Sequence, residues 1–113
     1  MSNATELKTL VRAFAAAHPI GDCDEIQFIR IEPIDVIMCQ HGKIVADYTH
    51  SIKVSFGARD KDDNIYRGKC ESFMKELADY FRSRVQAVFF FEGMMVYWDK
   101  EKNDFVGGLG ISI

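Results

Sequence analysis

Asp35, Tyr48 and His50 are the three residues whose types and spacing point to chemistry. A carboxylate that orients an imidazole, with a phenol beside it as proton donor, makes a general-base site if a cavity opens over it. Bringing the three together is the task of a β-hairpin. From Ile44 to Ala58 the even positions are Ile44, Ala46, Tyr48, His50, Ile52, Val54, Phe56 and Ala58, while the odd positions after Val45 are Asp, Thr, Ser, Lys, Ser and Gly. Successive strand side chains point to opposite faces, so the pattern predicts a strand with one face in a core. His50 is the one imidazole in the inward row.

The partner strand precedes it. Apolar residues of both parities between Ile26 and Gln40 predict a strand covered on both faces, and His41-Gly42 is a two-residue connection of hairpin type. The register then pairs Gln40 with Lys43, Cys39 with Ile44, Ile37 with Ala46, Asp35 with Tyr48 and Pro33 with His50. Asp35 and Tyr48 become direct neighbours, and His50 follows along the same face. Proline gives no hydrogen bond to a ladder, so the ribbon is expected to bend or break at Pro33. The plainer reading of the same trio is a kinked ribbon whose polar groups are satisfied locally.

Other constellations carry less. Cys39, His41, Asp47 and His50 have metal-ligand chemistry, but several residues of strand at about 3.3 Å each separate the tip residue His41 from His50, whereas zinc ligands must lie about 2 Å from one ion. No metal and no cofactor is therefore expected. The acidic runs 22–25 and 60–64 lack the glycine and terminal glutamate of a calcium loop and read as solvated loops. Gly107-Gly108-Leu109-Gly110 follows a strand but opens no helix, so it lacks a phosphate cradle. Met94, Tyr97 and Trp98 suit an adaptable apolar binding surface, with Met95 and Tyr97 on the face opposite Met94, Val96 and Trp98. Cys23, Cys39 and Cys70 are odd in number and irregularly spaced, which argues against a zinc site or a disulfide framework. They are expected to be reduced, with Cys39 filling core.

The remaining elements frame this ribbon. Leu7, Leu10, Val11, Phe14 and Ala17 predict an amphipathic helix over 5–18, opened by an Asn3–Glu6 capping box and closed by His18-Pro19. Residues 59–67 read as a polar loop, and Phe73, Leu77, Tyr80, Phe81 and Val85 predict a second helix over about 69–85. Strands are expected at 87–91, 94–98 and 105–113, with a turn or bulge at Glu92-Gly93 and a polar hairpin loop at 99–104. The three phenylalanines 89–91 put bulk on both faces, which predicts a central strand.

The fold class is thus α+β: a single domain over 1–113, with two amphipathic helices packed on a mostly antiparallel sheet of five or six strands, in the order α-β-β-α-β-β-β, with a long bent hairpin near 26–58. A chain of 113 residues with a formal net charge of −3 has no basic block to neutralise phosphates, so nucleic acid is not an expected partner. No apolar run is long enough to span a bilayer and the first residues lack a signal-peptide layout, so a cytoplasmic location and no membrane are expected. Two helices cannot cover every apolar strand position. The leading expectation is a protein-interaction or accessory domain, acting as a homodimer that buries the bare part of its sheet, with a further protein partner also compatible. One alternative is a small enzyme or small-molecule-binding protein with a pocket around Asp35, Tyr48 and His50. Another is a mobile-element or phage protein that inhibits a host partner.

Overall fold

A computed structural model describes residues 4–18, 28–58, 60–85, 87–90 and 94–112. The Asn3 cap, the acidic run 22–25 with Cys23, and the Glu92-Gly93 turn lie outside the described residues. Seven elements follow in the expected order: α1 Ala4–Ala17, β1 Phe28–Gln40, β2 Lys43–Ser55, α2 Asn64–Arg82, β3 Ala87–Phe90, β4 Tyr97–Asp99 and β5 Asp104–Ser112. The fold is α+β, two helices on an antiparallel five-stranded sheet ordered β1-β2-β5-β3, with β4 also pairing β5.

Both helices lie on one face of that sheet. Leu7, Val11 and Phe14 recur at helical spacing on α1, and Cys70, Phe73, Met74, Leu77, Ala78 and Phe81 do so on α2. They close over Ile52, Val54 and Phe56 from the β2 side and Phe105, Leu109 and Ile111 from β5. Phe14 joins the helices, its ring 5.5 Å from Phe73 and 5.3 Å from Tyr80. His18 ends α1 by stacking on Phe14 at 3.9 Å, and its Nδ1 donates to the Phe14 carbonyl at 2.9 Å.

Three expectations about the elements are corrected. The polar stretch 59–67 is not all loop: α2 begins at Asn64, because Asp63 accepts the Tyr66 N–H at 3.0 Å and caps it. That earlier start places Gly68 inside the helix and lets the Tyr66 hydroxyl donate to the Phe56 carbonyl. The phenylalanine-rich β3 is an edge strand, and the glycine-rich β5 is central. Phe89 explains the exchange, since its ring lies over Gly110, the residue paired with it, where a side chain on β5 would collide. Finally, Cys39 is exposed and the buried thiol is Cys70.

Asp104 ties the end of β2 to the start of β5. Its carboxylate accepts the Gly57 N–H at 3.0 Å and the Ala58 N–H at 2.6 Å, just past the point where Phe56 N–H meets the Phe105 carbonyl at 3.1 Å. Gly57 makes this turn with φ at 73°. Asp104→Ala leaves two half-buried amides without their charged acceptor and is expected to cost about 1.5–3 kcal/mol. Asp104→Asn keeps one acceptor oxygen and should lose less. Urea unfolding of the two variants checks the order.

Candidate functional site

The connection His41-Gly42 is built as expected, with φ values of 51° and 75°, the pair of positive angles that a type I′ hairpin turn requires. Pairing starts with Gln40 opposite Lys43 and Cys39 opposite Ile44, and it runs on through Pro33 opposite His50 to Phe28 opposite Ser55. Between these ends the register slips twice. One extra residue, Val45, enters β2 between the rungs of Ile44 and Ala46, and one extra residue enters β1 between Pro33 and Val36. The two slips cancel, which is why the expected register holds at both ends and fails in the middle.

The failure falls on the proposed trio. Tyr48 is paired with Val36 rather than Asp35, and Ile37 with Asp47 rather than Ala46. Asp35 is exposed. Tyr48 is 4 % exposed but stands outside the helix-covered core, its ring 4.3 Å from Phe89. Phe89 belongs to the face away from the helices, because it covers Gly110 while Gly107, of opposite parity, faces Met74 of α2. Strict alternation would have kept Tyr48 beside His50 and Ile52. Its ring instead meets Phe89 of β3, outside the cluster that holds Ile52 and Val54.

His50 is half-buried, flanked by Pro33 on β1 and Ile111 on β5. Its Nδ1 lies 3.0 Å from the Thr49 hydroxyl, which donates to the Ile111 carbonyl at 3.5 Å. The neighbour that Nδ1 meets is thus the Thr49 hydroxyl rather than the Asp35 carboxylate. The structure thus places Asp35, Tyr48 and His50 in three different surroundings and does not join them.

The aromatic candidates of the C-terminal half separate as well. Trp98 packs edge-on against Phe105 at 5.1 Å and adjoins the core. Tyr97 pairs with Val106 on the helix-free face and is half-buried, while Met94 is exposed. Val96 is buried in the core, yet Met94 does not follow it inward, because β4 begins only at Tyr97 and alternation does not extend to residue 94. Met95, expected on the outer face, packs against the core for the same reason. A surface groove elsewhere, lined by Thr5, Glu6, Thr9, Leu10 and Arg84, holds a guanidinium already committed to the Tyr80 ring at 3.8 Å and the Tyr80 carbonyl at 2.9 Å.

The sheet face without helices is less open than expected, and an unexpected surface is apolar. On the helix-free face, β2 presents Ser51, Lys53 and Ser55, and the β5 positions paired with them are Gly110, Gly108 and Val106. Ser51, Ser55 and Val106 are already buried. Among the described residues, however, the pairing of β2 with β5 starts at His50 opposite Ile111, and the part of β2 nearer the turn has no described β5 partner. Residues 34–49 therefore form a two-stranded arm. Val36, Ile37 and Ile44 on it are 38, 52 and 65 % exposed. β1, expected to be covered on both faces, is instead the sheet's edge, and its outer half is open.

No signal in the sequence marked this arm: the lengths that expose it, 13 residues for each strand of the hairpin against 9 described residues for β5, are those of the folded strands. Comparison with protein-family models, with curated proteins and with solved structures finds no match to this chain. Among the described residues, no helix is long and apolar enough to cross a membrane.

Proposed function

We propose that the chain is a protein-interaction domain that acts as a homodimer in the cytoplasm. The observation that carries this reading is the arm. Three of the large aliphatic side chains left in water, Val36, Ile37 and Ile44, lie together on this ribbon, with Ile65 of α2 exposed apart from them, whereas on the sheet face without helices Ser51, Ser55 and Val106 are buried. A two-stranded ribbon is marginal by itself and gains stability from a third layer or strand, and contiguous exposed apolar surface marks association sites. The expected dimer interface thus moves from the bare sheet face to the ribbon. Free Cys39 on the arm suits a reducing compartment.

The test is sedimentation velocity between about 1 and about 100 micromolar, the range in which an interface of this size exchanges between states. A sedimentation coefficient that rises with concentration toward that of a dimer supports the reading. A monomer at every concentration overturns it.

A further inference from the structure

We infer that the arm is a register switch: β1 slides against β2 between the observed pairing and a second one, and the slide moves Ile37, Cys39 and Ile44 to the other face relative to Tyr48. It goes beyond the homodimer reading and stands without it. The observation that carries it is the cancelling pair of slips. The strands hold one register at the base, up to Pro33–His50, and the same register at the tip, in Cys39–Ile44 and Gln40–Lys43. Only the rungs Val36–Tyr48, Ile37–Asp47 and Met38–Ala46 between them are offset by one residue. Moving 34–38 one step along β2 toward the turn removes both bulges at once. It pairs Ile34 with Thr49, Asp35 with Tyr48, Val36 with Asp47, Ile37 with Ala46 and Met38 with Val45, while the tip and the base keep every pair they have.

Nothing in the middle of the arm locks either register. Burial of one face is what specifies a register strongly, but Asp35, Val36, Ile37 and Asp47 are all exposed. Among the described residues, no side-chain hydrogen bond or ion pair joins Asp35, Val36 or Ile37 to Asp47 or Tyr48. The observed pairing is favoured by Tyr48, which is 4 % exposed and has Val36 opposite it, whereas the slide sets the Asp35 carboxylate there. The second pairing is favoured by the backbone, since it has five regular rungs in place of three and no extra residue in either strand. These effects oppose each other. The second pairing is therefore a minor state, within the range of about 0.1–10 % in which such conformers are populated.

The two registers present different surfaces. Residues of one rung share a face and the next rung faces the other way, so Ile37, Cys39, Ile44 and Asp47 now lie on the face opposite Tyr48. After the slide Ile37, Cys39 and Ile44 share the face of Tyr48, and Asp47 lies on the other. A molecule that meets one face better than the other selects the register.

Relaxation dispersion of the backbone amides in the full chain tests the switch, because motions of this kind fall in the microsecond-to-millisecond range. Exchange is expected at 34–38 and 45–48, with flat profiles at 39–44 and 50–55, whereas fraying would be largest at the tip. It should be equal at two protein concentrations about tenfold apart, which separates it from dimer exchange. Deleting Asp35 and Val45 together keeps the three observed rungs and leaves neither strand a residue to slide by, so the exchange should vanish. A cysteine trap identifies the minor state. In a Cys39→Ser background, Val36→Cys/Asp47→Cys share a rung only after the slide and should close a disulfide under mild oxidation, more slowly than Ile37→Cys/Asp47→Cys, which share the observed rung. Flat profiles in the parent, exchange that grows with concentration or persists in the deletion variant, or a Val36→Cys/Asp47→Cys pair that stays reduced overturns the switch.

Discussion

Phe56→Ala is expected to destabilise the fold by about 3–5 kcal/mol, the range for removing a buried phenylalanine from a close-packed core. Phe56 is fully buried and follows directly on β2, with its ring edge-on to Phe73 of α2 at 5.8 Å. Its backbone holds two further ties: its N–H reaches the Phe105 carbonyl, and its own carbonyl accepts the Tyr66 hydroxyl. Truncation leaves those backbone bonds in place but empties the space between strand and helix, where collapse would require α2 to shift on the sheet. A domain of this length has a total stability of about 6–17 kcal/mol, so the variant loses a large share of it. Chemical unfolding with guanidinium or urea measures the loss at unchanged slope. A cost below about 1.5 kcal/mol would mean that the site repacks freely and that Phe56 does not hold α2 to the sheet.

Gly110→Ala should cost about 3 kcal/mol for the addition of a single methyl group, near the upper end of the usual overpacking range. A Cβ at this position would fall inside the Phe89 ring. The glycine lies in the central strand, held by Ser51 on one side and Phe89 on the other, so its backbone has little room to retreat. Phe89 would have to swing away, uncovering Tyr48, which lies 4.3 Å from it. The diagnostic result is a change of sign. In a Phe89→Ala background the clash is absent, and Gly110→Ala should become neutral or stabilising by up to about 1 kcal/mol, because alanine loses less backbone entropy than glycine in a strand. A double-mutant cycle reads this coupling directly. Additive effects would show that Phe89 does not rest on Gly110.

The same pair of residues shows why the order of the sheet was not readable beforehand. A run of phenylalanines has the composition of an inner strand, and a run of glycines that of a weak outer one. Placement reversed these roles because a flat aromatic ring on an edge strand covers a neighbour only if that neighbour has no side chain. Such complementarity belongs to a pair of segments twenty residues apart, and neither segment shows it alone.

The candidate site was legible to a similar depth. Period-two alternation identified β2, and the glycine-containing turn identified the connection, since both depend on residues close in sequence. Counting outward from the turn then gave correct pairs at Cys39–Ile44 and again at Pro33–His50. The pairs between them were wrong because two compensating bulges shift the register and a turn cannot report them. Asp35 was thereby displaced from Tyr48. Pro33 hinted at one irregularity, at the point where the structure places the bulge that starts the arm.

The sequence by itself determined the number, order and type of the elements, the inward faces of both helices, and the hairpin turn. Each of these follows from side-chain periodicity or backbone preference within a few residues. Only the tertiary structure decided that β5 is central, that β1 and β2 run past it as an arm, and that Ile37 and Ile44 remain in water there. Those outcomes depend on how far strands of unequal length overlap and on which side chains from distant segments fit together, energies that exist only once the chain has folded.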